Sequence, residues 1–96
     1  MKIAVQTQAF DLGAEASALA AGHRDMGAVV TFTGVVRDLA RGDLDRMVIE
    51  HYPGMTQKAI EEIAGEAQRR WNLGDVLVIH RYGDLAPGEM IMMVGT

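Results

Sequence analysis

Polar and apolar positions alternate from the start of the chain. Ile3, Val5 and Thr7 fall on one side and Lys2, Gln6 and Gln8 mostly on the other, which predicts a half-buried strand over 2–8. Asp11 can then cap a helix running to about Ala21, with Leu12, Ala16, Leu19 and Ala20 on one face and Gly22 as its stop. Residues 28–36 are almost continuously apolar and β-branched, the pattern of a central strand covered on both faces. A polar stretch, RDLARGDLD, reads as a surface loop, and strand character resumes at 47–52. Pro53 and Gly54 break that strand. Thr56 can cap a helix in which Ala59, Ile60, Ile63, Ala64, Ala67 and Trp71 recur at helical spacing. Its other face carries Glu61, Glu62, Glu66, Arg69 and Arg70, with Glu66 and Arg70 spaced to pair. Asn72, Leu73 and Gly74 end it.

A further strand is predicted over 75–82, with Val76, Val78, His80 and Tyr82 on one face and Leu77, Ile79 and Arg81 on the other. The turn signal Pro87-Gly88 brings 89–95 back as its hairpin partner. The order β-α-β-β-α-β-β implies an α+β fold, two helices on one side of a largely antiparallel sheet. Met90 to Met93 and then Val94 are apolar without interruption, and an uncovered strand of that kind is a sticky edge. This reads as a fragment, or as a chain whose remaining core comes from elsewhere.

Composition narrows the functions open to such a fold. The 96 residues make one domain, 1–96, and they carry nine Lys and Arg against thirteen Asp and Glu, a formal charge of −4. A phosphate backbone needs a clustered positive face, so nucleic acid is not expected as a partner. With no cysteine there is no disulfide, thiolate metal site or thiol nucleophile. Residues 23, 51 and 80, the three histidines, lack ligand-like spacing, so neither a metal nor a cofactor is expected. No apolar run approaches the ~20 residues of a membrane span, and no signal peptide opens the chain. No membrane is expected, and the compartment indicated is the cytoplasm.

Arg37 is the most informative polar residue. A permanently charged planar fork just past a rigid strand suits a phosphate or carboxylate, and Gly34 lets a ligand approach the backbone. The same spacing also fits an arginine that opens a solvated loop and pairs with Asp38 or Asp43. Glu50, His51 and Tyr52 close a strand where side chains can meet for proton transfer or simply pair across strands. His80 fits a hydrogen-bonded structural histidine, and Met90, Met92 and Met93 fit core or interface.

In order, GAVVTFTGVVRD, IEHYPGMTQKAIEEIAGEAQRRW and VIHRYGDLAPGE resemble the large, catalytic subunits of molybdopterin synthase, over residues 3–96. The resemblance implies an α/β-hammerhead fold and an enzyme of molybdenum cofactor biosynthesis. Such enzymes move sulfur from the thiocarboxylated C-terminus of a small ubiquitin-like subunit onto cyclic pyranopterin monophosphate. It further implies a homodimer of large subunits with a small subunit at each end, a heterotetramer. Carried onto this chain, Phe32 and Arg37 belong to the partner-tail pocket, and Val35, Val36 and Arg37 to substrate binding. Position 35 is valine where some relatives have lysine. The family's essential lysines and a His-Arg pair lie in its last third, beyond Thr96, so the chain is expected to be C-terminally incomplete and inactive alone. Lys2 and Lys58 are its only lysines and neither matches a catalytic position, so no catalytic residue is assigned. The competing reading is a non-catalytic truncated relative that dimerises or holds a ligand or tail.

Overall fold

A computed structural model describes all 96 residues. β1 (Lys2–Gln6), α1 (Leu12–Ala20), β2 (Thr31–Val35), β3 (Met47–Ile49), α2 (Met55–Trp71), β4 (Leu77–Arg81), β5 (Gly83–Leu85) and β6 (Met90–Gly95) follow in that order. The main sheet has the order β1-β4-β6-β2, and β3 pairs with β5 in a separate two-stranded ribbon. Only the β1–β4 pair is parallel; β4–β6, β6–β2 and β3–β5 are antiparallel. The fold is therefore α+β with mostly antiparallel pairing, as expected.

Successive residues of a strand face opposite ways, and β4 uses both sides. Leu77 and Ile79 pack with Leu19 of α1 and Met93 of β6, and Ala4, Phe10 and Leu12 border them. Val78, with the preceding Val76, packs instead with Ala64 of α2, bordered by Ile3, Ile60, Leu73 and Val94. The helices thus lie on opposite faces of the sheet, not on one side. An amphipathic α1 and an amphipathic α2 each need an apolar face, and the near-continuous VLVI of 76–79 provides two.

Further expectations are corrected. β2 is an edge strand, and Val30, Phe32 and Val35 are 66%, 68% and 50% exposed; its apolar run lines a face that this chain leaves largely open. The apolar C-terminal strand β6, by contrast, is no edge, since β4 and β2 flank it. A short β5 intervenes before the hairpin closes, because Gly83 at φ +91° turns the chain out of the main sheet towards β3. On α2 the N-cap is Gly54 with no side-chain bond, not Thr56, and the spaced Ile63 and Trp71 stay exposed. Arg70 lies over the Trp71 ring, 4.9 Å from its centroid, and makes no ion pair with Glu66. Asp11 does cap α1, accepting from the Ala14 N–H at 2.9 Å, and Asn72 in the left-handed region ends α2.

Met93 is fully buried in the α1-side core. Met93→Ala is expected to lower unfolding free energy by about 2–5 kcal/mol, measured by denaturant titration. A second test concerns Asp75, which accepts from the Val76 N–H at 2.8 Å and pairs at 3.2 Å with both the N-terminal ammonium and the His23 ring. Partial burial pushes its pKa up, but the hydrogen bond, the ammonium and His23 together outweigh that and hold it below 3.8. A depressed carboxylate stabilises fully above its unfolded pKa and loses that contribution as pH falls through its folded value. Asp75→Asn should therefore destabilise modestly, by less than ~1 kcal/mol, near neutral pH. The gap between the two unfolding curves should close as pH drops below about 4.

Candidate functional site

The end of β2 is shaped by a bulge. Gly34 faces Met92 and Val35 faces Met90, which leaves Ile91 without a partner on β2. A Cβ on Gly34 would stand 3.3 Å from Met92 Cγ, so the strands meet closely there. Just past the bulge Val36 turns inward and is 2% exposed. Its N–H donates to the Glu89 carbonyl and its carbonyl accepts from the Gly88 N–H, both at 2.9 Å. The turn that receives it is itself closed twice. The Glu89 N–H donates to the Ala86 carbonyl at 3.1 Å, and the Glu89 carboxylate accepts from the Ala86 N–H at 2.5 Å. Pro87 fixes the first corner of this turn, and Gly88 supplies the positive φ, +90°, of the second.

On the far side of Arg37 the chain is pinned again. Asp38 Oδ1 accepts from the Leu39 N–H at 2.7 Å and from the Leu44 N–H at 2.9 Å, closing the loop upon itself. Asp43 pairs with Arg41 at 3.2 Å. Both acids that spacing offered to Arg37 are engaged elsewhere, and its guanidinium makes no hydrogen bond or ion pair. Arg37 is an exposed, permanent cation between two anchored neighbours. Such a group can accept a carboxylate or phosphate without first giving up a partner.

The sequence-derived residues are distributed unevenly around it. Phe32, Val35 and Arg37 are exposed, whereas the Val36 side chain is buried and its backbone groups are committed. None of the four lines a cleft. The concavities lie elsewhere, the most apolar being a groove of about 320 Å³ between α2 and the β4–β6 face, bordered by Ile60, Ile63, His80 and Met92 among others. The chain's own residues therefore do not enclose a pocket around Arg37.

Glu50, His51 and Tyr52 do not converge. The Tyr52 hydroxyl donates to Glu50 at 2.5 Å, and this bond, with a smaller contribution from burial, raises the phenol's pKa. His51 stacks instead on Tyr82, ring centroids 4.0 Å apart. His80 Nδ1 lies 2.9 Å from the Arg81 carbonyl. No three metal-ligating side chains come together.

Arg81 is the residue that sequence reading underrated. It is 7% exposed; its Nε donates to the Thr7 carbonyl and its Nη1 to the Met90 carbonyl, each at 3.1 Å, and Nη1 stands 3.5 Å from the Glu89 carboxylate. Strand alternation placed it beside Leu77 and Ile79, and an arginine on a buried face is the signal that pointed to it.

Fold and site together define a small α+β protein that presents one unpaired guanidinium at a fixed sheet corner. The chain belongs to the MoaE protein family, whose pattern matches residues 5–96. It is 58% identical over 96 residues to the molybdopterin synthase catalytic subunit of Cereibacter sphaeroides. All of this chain and 65% of that protein are covered, so the chain spans just under two thirds of that relative's length. The solved molybdopterin biosynthesis MoaE protein of Burkholderia ambifaria superposes with a TM-score of 0.86 at 49% identity, over 99% of this chain and 64% of that one. A Helicobacter pylori complex of subunits 1 and 2 of molybdopterin-converting factor shares the fold, with a TM-score of 0.75 at 20% identity, over 97% of this chain and 62% of that one.

Asp38→Ala removes the acceptor of two backbone N–H groups. It is expected to speed amide exchange at Leu39 and Leu44 while costing no more than about 2 kcal/mol of global stability.

Proposed function

We propose that the chain acts as a molybdopterin synthase catalytic subunit, in which sulfur from the thiocarboxylated C-terminus of a small ubiquitin-like subunit is transferred to cyclic pyranopterin monophosphate. The observation that carries this reading is the unpaired Arg37 guanidinium, held between Val36 and Asp38 within the block TFTGVVRD. Both proposed guests are anionic where they would meet it, one through a phosphate and the other through a C-terminal carboxyl group. The name of the Cereibacter relative supports the activity. The two-subunit assembly of the Helicobacter protein supports the partner.

In this reading Arg37 is the anion-binding group, Val35 and Phe32 offer apolar surface beside it, and Val36 is the anchor that fixes its position. Because these residues enclose no cleft of their own, the pocket is completed by the small subunit, by a second large subunit in the homodimer, or by further chain. The family resemblance assigns the reactive lysines to positions beyond 96, where a desolvated amine would act as nucleophile or acid/base. The setting is cytoplasmic.

Arg37→Ala in a full-length protein, loaded with thiocarboxylated small subunit, is expected to slow single-turnover sulfur transfer by about 10- to 100-fold, the worth of a charge-assisted hydrogen bond. Unfolding free energy should change by less than about 0.5 kcal/mol, since the exposed side chain makes no hydrogen bond or ion pair. Arg37→Lys should recover only part of the rate, having charge without the fork. An unchanged rate in Arg37→Ala removes this residue from the mechanism.

A further inference from the structure

The geometry points to Arg81 as a positioning residue that fixes Arg37 through the 86–89 turn; this rests on the reading of Arg37 as the anion-binding group. The β4–β6 ladder ends at the pair His80↔Met92, and Ile91 has no partner on β2 because of the bulge. Beyond that point no strand pairing holds the start of β6 to β4. The Arg81 guanidinium bridges the gap instead. One of its nitrogens bonds the Met90 carbonyl at 3.1 Å and lies 3.5 Å from the Glu89 carboxylate, while its Nε is tied at 3.1 Å to the Thr7 carbonyl just after β1.

From Glu89 the connection to Arg37 is short and made of hydrogen bonds. The same carboxylate accepts from the Ala86 N–H, and the turn it closes holds Val36 from both sides through Glu89 and Gly88. Arg37 is the next residue. A buried guanidinium on β4 thus sets the height and tilt of an exposed one at the end of β2, with no contact between them. A planar fork can serve three divergent acceptors on two segments at once, and a lysine ammonium on a flexible stem fits that geometry poorly. A misplacement of about 1 Å at a binding group is enough to lower function substantially.

A double-mutant cycle on a full-length protein tests this, with the dissociation constant for the small subunit carrying its ordinary C-terminal carboxylate as the readout. Arg81→Lys is expected to weaken binding about tenfold when Arg37 is present and to have no effect in an Arg37→Ala background. It should also speed amide exchange at Val36 and Gly88 while leaving the amides of α2 unchanged. Should Arg81→Lys fold poorly, Glu89→Gln breaks the ion pair alone, keeps an acceptor for the Ala86 N–H, and should show the same pattern at roughly threefold. Equal losses in both backgrounds, or none in either, overturn the proposal. If Arg37→Ala binds as well as the parent protein, the reading of Arg37 fails. Unaltered exchange at Val36 and Gly88 in Arg81→Lys overturns the clamp whatever Arg37 does.

Discussion

β6 is paired along both edges, and most of the architecture follows from that. A strand between two others has no free backbone groups to offer solvent, so its length and both faces must be supported by neighbours. β4 supplies one edge and β2 the other. Met93 and Val94 point to opposite faces, one into the core under α1 and the other towards α2. The helices separate to the two faces because neither face of the β4–β6 pair can be left to water. Eleven of the 96 residues are buried, so these two thin layers are nearly all the core there is.

The corner that carries Arg37 is a by-product of how that central pairing ends. Regular antiparallel pairing would have carried β2 and β6 on together and kept alternate side chains in register. The bulge at Ile91 breaks the alternation, so that Val36 enters the interior and Arg37 leaves it. A glycine in positive φ and a proline then turn the chain within four residues, and the turn hydrogen-bonds Val36 on both sides. The arginine's freedom from partners is therefore not looseness. Its backbone is fixed by four hydrogen bonds to the flanking residues, two at Val36 and two at Asp38, while its side chain is left uncommitted.

Much of this was legible in the residues. Asp11 as a helix cap, Asn72 as a helix end, the Pro-Gly turn and the alternation along β4 depend on local stereochemistry, and local stereochemistry is what a sequence records most directly. Strand order is a matter of which apolar faces meet, and there reading failed: the run at 28–36 and the run at 76–79 look alike, yet the second is central and the first lies at an edge. Apolar character reports that a face is to be covered, not by what. The same ambiguity placed both helices on one side. For the site, Arg37 stood out by position and through the resemblance, but its lack of partners depended on Asp38 closing its own loop and on Asp43 choosing Arg41. Arg81 was visible only as an oddity, a charge in phase with Leu77 and Ile79.

The two arginines show why burial, more than residue type, decides what a guanidinium does. Taking a charge out of water is costly unless its donors find acceptors, and the Arg81 Nε and Nη1 find two carbonyls and a carboxylate on two separate segments. Those two nitrogens are committed within the fold. Arg37 remains hydrated, pays no desolvation cost in the free protein, and keeps all five donors available. An anion that arrives at Arg37 must displace water from both partners, so the gain in affinity is small unless the group is already in place. In the proposed clamp the buried arginine provides that condition: its Nε and Nη1 hold the start of β6, and the turn beside it holds Val36. Under the proposed reading, removing the exposed charge deletes a binding group, whereas loosening the buried one leaves that group present and misplaced, and the two defects differ in how they combine.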